Sequence, residues 1–272
     1  MDADTATADS TMGTRSKNKL YIATPMYGGQ CMVTYAQSLL ETSRTLARAG
    51  IGARYEFVAN ESLIQRARNL IAHQFYHTAP DCTHLLFVDA DIGFDYTQLE
   101  RLLTRSSGVE NDGAVLTGVY CKKHVDWERV RAKATGTHRT VEGALTAGLD
   151  YNINADTRDL ANVQDGFATV LDAATGFMLI PRRVLARLYE AYAPTLSCIN
   201  DLAGAGTASA GSYVAVFDCM ICPQSGRYLS EDFSFTRRCQ EQGVPVRSDL
   251  CSKLSHTGTL TLRNDFEDVL HL

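Results

Sequence analysis

The segment Leu85-Leu86-Phe87-Val88-Asp89-Ala90-Asp91-Ile92-Gly93-Phe94 decides how this chain is read. Four apolar residues in succession end in two carboxylates one residue apart, the pattern of a buried parallel strand leaving the core for a polar loop. Ligands of open α/β sheets bind at the carboxyl ends of strands, where an Asp-x-Asp directs hard oxygen donors at one point. The same residues also suit an ordinary strand end or a helix cap, so the flanking elements must decide.

Working outward toward the N-terminus, residues 19–24 read as a first strand, closed by Pro25 and followed by a turn at Met26-Tyr27-Gly28-Gly29. Apolar residues at Val33, Ala36, Leu39, Leu40, Leu46 and Ala47 predict an amphipathic helix over 31–49, stopped by Gly50. The cycle repeats with a strand over 53–59 and a helix over 61–77, for which Asn60 is the expected cap. In that helix Leu63, Ile64, Ala67, Leu70 and Ile71 share one face. Ser62, Arg66, Asn69 and His73 share the other, and Arg68 lies at the border.

Beyond the two aspartates, Asp95 and Gln98 have capping-box spacing ahead of a helix through Leu99, Leu102 and Leu103, and 114–120 reads as a fourth strand. Three rounds of strand and helix followed by another strand predict an α/β fold with a mostly parallel sheet flanked by helices.

The second half is less regular and reads as a smaller annex. Residues 129–139 are basic and suit a surface loop; 167–172 and 176–180 are strand candidates, and Pro181 is placed to open a helix through Tyr192. The Gly, Ala and Ser content of 201–212 suits a mobile loop or lid. A strand is expected over 213–221. Ser230 then caps a helix that stops at Gly243, with Glu231 and Asp232 in its first turn, where the helix dipole alone would accommodate two acids. Residues 244–249 return to an extended state, and His256 follows in Leu254-Ser255-His256-Thr257-Gly258.

Composition limits the possible functions. With 272 residues, 45% hydrophobic and 21% charged, the chain can bury one large core, and a formal charge of -5 argues against broad non-specific binding to nucleic acid. Residues 1–18 have no apolar period and read as a disordered tail, without the basic and apolar regions of a secretion signal. No run approaches the roughly 20 apolar residues of a membrane span, so a cytoplasmic protein with reduced thiols is expected. Cys219 and Cys222 form one C-x-x-C, followed by Cys239, Cys251 and His256; a zinc site ordinarily needs a second such knuckle.

Six elements, in this order, carry a resemblance: Thr24-Pro25-Met26-Tyr27, Ala67-Arg68-Asn69, Asp89-Ala90-Asp91, Thr175-Gly176-Phe177-Met178, Glu231-Asp232 and His256. The chain resembles GT-A glycosyltransferases, in the inverting family that includes cellulose and chitin synthases and small viral or phage relatives. The resemblance implies one GT-A (Rossmann-like) domain over 19–258, with a nucleotide-sugar half (19–120), a smaller acceptor half (121–258) and a C-terminal segment (259–272). It implies that Thr24, Pro25, Tyr27 and Asn60 or Glu61 surround a uracil-type base, with Arg68, Asn69, Ala90 and Gly176 also in the nucleotide-sugar site. Arg68 and Asn69 match an element near the diphosphate. Asp89 would face the ribose or a metal-bound water, Asp91 would bind the metal, and His256 would complete its shell. Asp232, paired with Glu231, matches the catalytic base.

Oxygen donors with one imidazole suit Mn²⁺ or Mg²⁺, and the imidazole favours Mn²⁺. Glycosyl transfer builds negative charge on the leaving diphosphate, which a divalent cation stabilises, and needs a carboxylate to take the acceptor's proton. The processive synthases' Gln-x-x-Arg-Trp element is missing, which favours transfer of a single sugar. A rival reading is a sugar-nucleotide nucleotidyltransferase, but Met26-Tyr27-Gly28-Gly29-Gln30 offers no cation to grip a triphosphate. A non-catalytic nucleotide-sugar-binding module is the other. The hydroxyl acceptor is left open among a glycan, a protein and a hydroxymethylated DNA base. Lys122, Lys123, Arg129, Arg131, Lys133 and Arg139 would be the phosphate track for DNA.

Overall fold

The computed structural model describes residues 18–108, 113–135, 140–155, 160–200 and 211–259. Its centre is a seven-stranded sheet of β1 (Lys19–Met26), β2 (Gly52–Ala59), β3 (His84–Val88), β4 (Val115–Gly118), β5 (Phe167–Thr169), β6 (Phe177–Pro181) and β7 (Val246–Asp249), in the order β2-β1-β3-β6-β4-β7-β5. β2, β1, β3, β4 and β7 point the same way, and β6 and β5 run against them. The expected mostly parallel α/β sheet is therefore present, with one antiparallel strand inserted at its middle. The α-helices are α1 (Val33–Arg48), α2 (Ile64–Thr78), α3 (Tyr96–Ser107), α4 (Trp127–Ala134), α5 (Val141–Ala147), α6 (Arg182–Leu196) and α7 (Glu231–Glu241).

The unbroken apolar run of β3 follows from burial on both faces. Leu86 and Val88 face Leu20, Ile22, Tyr35 and Leu102 under α1 and α3, whereas Leu85 and Phe87 face Tyr21, Ile71, Leu185 and Phe235 under α2, α6 and α7. Side chains alternate across a strand, so a half-buried strand would have needed polar residues at every second position. All five residues of β3 are buried, and full burial of Phe87 alone contributes about 2–3 kcal/mol.

Several local expectations are corrected. Asn60 does not cap α2. It lies at φ 62°, the helix begins at Ile64, and the buried Glu61 carboxylate closes the entry by accepting from Leu63 N at 2.9 Å. The capping box at Asp95 does not form, because the Gln98 side chain instead accepts from Lys253 N at 2.9 Å. Ser230 is the N-cap of α7, but its hydroxyl turns to Asp232 rather than to a helix N–H. The basic stretch is helical as far as Ala134, and its Asp126 cap accepts from Arg129 N.

Pro181 ends β6 and caps α6, which continues past Tyr192 to Leu196. The strand over 213–221 is limited to Gly211–Val214 and Met220–Ile221. Of the proposed lid, 201–210 lie outside the described residues, as do 1–17, 136–139 and 260–272. Asn69 is not on a polar face of α2. The Gly211–Val214 strand and the residues after it pack on that helix, Leu70 with Tyr213 and Ala215, so it is covered on more than one side.

Candidate active site

The C-terminal ends of β1, β2, β3 and β4 open on one edge of the sheet. Because β6 runs antiparallel, its first residues arrive there too: Phe177 pairs with Val88, and Asp89 N donates to Gly176 O at 3.0 Å. The loop after β3 is held by its own backbone. Ile92 N closes onto Asp89 O, Met32 N at the start of α1 bonds Ala90 O at 2.8 Å, and Thr257 N bonds Asp91 O at 2.9 Å. With the backbone so tied, the two aspartate side chains diverge.

Asp89 turns toward α2. Arg68, only 3% exposed, donates from Nη2 to Asp89 Oδ1 at 2.9 Å and from Nε to Glu231 Oε1 at 3.1 Å. It also lies 5.3 Å from the centre of the Phe87 ring. Burial works against the guanidinium's charge, but the two carboxylates more than offset it and hold its pKa above the ordinary value. Nη1 is buried with no hydrogen-bond partner among the described residues.

Asp91 turns the other way. Its Oδ2 accepts from Lys123 Nζ, and its Oδ1 lies 3.6 Å from His256 Nε2. His256 Nδ1 is 2.8 Å from Cys121 O. A carbonyl can only accept, so Nδ1 is the donor of this bond, and a ring without a proton on Nε2 would present that nitrogen's lone pair to the Asp91 side. This is the orientation a metal-ligating histidine requires, with the opposite nitrogen tied to a carbonyl. One carboxylate oxygen and one imidazole nitrogen thus converge and fit a divalent cation. Among the described residues no group of three His, Cys, Asp or Glu side chains gathers, so further ligands would have to be phosphate oxygens and water.

Glu231 and Asp232 reach this edge because α7 is locked along its length. Phe235 stacks on Phe217 at 4.2 Å, Arg238 Nη1 donates to Val216 O and Asp218 O, and Arg237 makes a two-point pair with the fully buried Asp172. Burial, and then the Glu231 charge, push the Asp232 carboxyl above its ordinary range, against the Ser230 hydroxyl and the Phe233 N–H that pull the other way. An aspartate with a raised pKa is a stronger proton acceptor once ionised.

Tyr120 was invisible in the sequence pattern and lies among these groups. Its hydroxyl accepts from Gly176 N at 3.2 Å, and its ring meets His256 edge-on at 5.1 Å. Burial, and then the Asp89 charge, raise its pKa far above normal, with Arg68 and Asp232 also in its field. Gly176 is required for this fit, since a Cβ there would stand 2.4 Å from the tyrosine hydroxyl.

The residues expected around a nucleotide base divide. Tyr27 is 74% exposed after β1, and Asn60 is exposed beside it, Met26 being paired with Ala59 just before them; Pro25 is half-buried. The Thr24 side chain is fully buried and shares a 2.6 Å hydrogen bond with Tyr35. Glu61 is buried and engaged by Arg66, at 2.6 and 2.9 Å, and by Leu63 N, so its carboxylate is committed to the fold. Asn69 is buried; its Oδ1 accepts from Phe217 N at 2.9 Å, and its Nδ2 has no partner among the described residues. The basic track is largely neutralised: Arg129 pairs with Asp126 and Asp150, Arg131 with Glu128 and Lys123 with Asp91, and Arg139 lies outside the described residues.

No protein-family model and no curated protein matches the chain. Solved structures do. GalNAc-T7 with UDP, GalNAc and Mn²⁺ has a TM-score of 0.48 and 10% identity, over 89% of this chain and 44% of that one. A Drosophila β1,4-galactosyltransferase 7 mutant with manganese, UDP-Gal and xylobiose has a TM-score of 0.40 and 11% identity, over 92% and 79%. Both of these neighbours are glycosyltransferases. The inositol-1-phosphate CTP transferase of T. maritima also matches, with a TM-score of 0.41 and 9% identity over 89% of each chain. The likeness is confined to the α/β architecture, which both kinds of transferase share. No helix among the described residues is long and apolar enough to cross a membrane.

Proposed function

We propose that the chain transfers a single sugar from a nucleotide diphosphate sugar, UDP-linked, to a hydroxyl acceptor, with inversion. The observation that carries this reading is the buried guanidinium of Arg68, which joins Asp89 of the Asp-Ala-Asp loop to Glu231 of the Glu-Asp pair. One ionic bridge brings the two acidic motifs to the same edge of the sheet, as a donor site and a base acting on one sugar would need.

In this reading Tyr27 and Asn60 flank the base, and Asp91 and His256 hold Mn²⁺ or Mg²⁺. A cation there supplies charge neutralisation to the departing diphosphate, worth several kcal/mol. Asp232 takes the proton of the acceptor hydroxyl as its oxygen bonds to the anomeric carbon and the diphosphate leaves. Arg68 keeps Asp232 in register by anchoring the adjacent Glu231. The neutralised basic track favours a glycan or protein acceptor over DNA.

The test is a panel of sugar nucleotides screened by thermal shift with Mn²⁺, followed by turnover and the anomeric configuration of the product. A ligand specific for the folded site raises the melting temperature. Failure of every sugar nucleotide to shift the protein, with control enzymes responding, would exclude the donor site; a retained configuration would remove Asp232 from the role of base.

A further inference from the structure

Asp91 carries two neighbours that are incompatible as partners of a bound cation. His256 Nε2 faces Oδ1 as a second ligand would, whereas the Lys123 ammonium is hydrogen-bonded to Oδ2. Both are positioned by the same two segments. The Cys121–Val125 strand supplies the carbonyl that orients His256 as well as Lys123 itself. The segment carrying His256 also carries Gly258, and a Cβ at that position would stand 2.8 Å from Lys123 Cδ. The lysine stem therefore runs close over this glycine to reach Asp91.

An ammonium and a divalent cation bound to one carboxylate would be like charges a few ångströms apart, a repulsion that neither burial nor a second acid relieves here. Lys123 can yield: its side chain is 40% exposed and its four-carbon stem is flexible. Among the described residues the site has no third acidic, histidine or cysteine ligand to hold a cation against this competition. A diphosphate would supply oxygen donors to the cation and also a new acceptor for the displaced ammonium.

We propose that Lys123 is a resident counter-ion which the divalent cation must displace from Asp91, so that cation binding is weak alone and cooperative with the nucleotide diphosphate. The inference rests on the donor-site reading above and adds an order to it: cation and nucleotide enter together. Cooperativity of this kind is reciprocal, each ligand tightening the other by the same factor.

The experiment measures Mn²⁺ affinity from the electron paramagnetic resonance signal of free Mn²⁺, for the wild-type chain, Lys123→Gln and Lys123→Arg, each with and without UDP. Without UDP, Lys123→Gln should bind Mn²⁺ about fivefold more tightly than wild type, the scale of a half-exposed ion pair. Lys123→Arg, which keeps the competing charge, should not. The factor by which UDP tightens Mn²⁺ binding should be smaller in Lys123→Gln, and Asp91→Ala should abolish its advantage. Equal Mn²⁺ affinities of wild type and Lys123→Gln without UDP, with normal binding of Mn²⁺ in its presence, would overturn the counter-ion role and leave the donor site standing. If no form binds Mn²⁺ even with UDP, the donor-site reading fails and this inference with it.

Discussion

Arg68 donates to Glu231 at 3.1 Å across 163 residues of chain, tying the second turn of α2 to the first turn of α7 beneath the candidate active site. The same guanidinium holds Asp89, so replacing it strands two carboxylates of one sign. Arg68→Met should cost about 3 kcal/mol of folding stability, the lower end for breaking a buried pair because Asp89 retains some solvent. Arg68→Lys keeps the charge but cannot span both acceptors, and should fall between. Urea unfolding of the three proteins measures both.

Asp232→Asn should leave thermal stabilisation by donor and Mn²⁺ largely intact while lowering transfer by about 10²- to 10⁴-fold, the usual contribution of a positioned general base. In the wild type the raised pKa has a sign that can be checked. The base works only when ionised, so kcat/KM should fall as the pH drops through a value above the ordinary aspartate range. A profile that stays flat down to that range would argue against Asp232 as the base.

Asp91→Ala removes the oxygen that faces His256 Nε2 at 3.6 Å. Stabilisation by a sugar nucleotide plus Mn²⁺ should be lost, with the melting temperature of the free protein little changed, since the Asp91 side chain is partly exposed and its salt bridge is to the half-exposed Lys123. Differential scanning fluorimetry separates the two effects.

Gly176→Ala places a methyl 2.4 Å from the Tyr120 hydroxyl and should cost about 1–3 kcal/mol through overpacking. Tyr120→Phe leaves Gly176 N without its acceptor, at about 1–3 kcal/mol. The double variant should be less destabilised than the two costs added together, because one contact links the sites. Thermal or urea unfolding of all four proteins gives the coupling.

His84 offers a pH test far from the chemistry. Buried in β3 between Thr83 and Ser106, at 2.9 and 2.8 Å, it is held neutral, with its pKa pushed down to about 4 by burial and then by Arg183. The unfolded chain binds this proton near pH 6.5 and the folded chain only near 4, so stability is full above 6.5 and is lost as the pH falls between those values. The loss should approach about 3 kcal/mol at its limit. His84→Gln should lack this part of the pH dependence when both proteins are unfolded in urea at pH 7.5 and pH 5.

The sheet was legible because its evidence is local: apolar runs of strand length, helical spacing between them, and punctuation by Gly50 and Asp95, whereas Pro25 does not close the first strand, which pairs on through Met26. The antiparallel arrival of β6 between β3 and β4 was not, although its apolar residues marked it as a strand. Strand order is set by which buried faces meet, and no residue of Phe177–Pro181 records its neighbours. Caps were the weakest expectations. Asn60, Asp95 and Ser230 each have the right chemistry for a helix start, yet each helix entry is settled by a competing partner or by the turn leading into it.

For the candidate site, the chain by itself determined which groups to look for: two aspartates after a buried strand, an acidic pair opening a helix, and a histidine in the last described segment. What only the tertiary structure decided was their division of labour. Side chains one residue apart diverged because three backbone hydrogen bonds hold the loop between them, sending Asp89 to Arg68 and Asp91 to His256 and Lys123. The side chains of Thr24 and Glu61 are engaged within the fold by Tyr35 and Arg66. Tyr120 was brought in by the close approach that Gly176 permits. Sequence carries the chemistry of each group, but a charged or polar atom is free for a ligand only if the folded chain has not already supplied its partner.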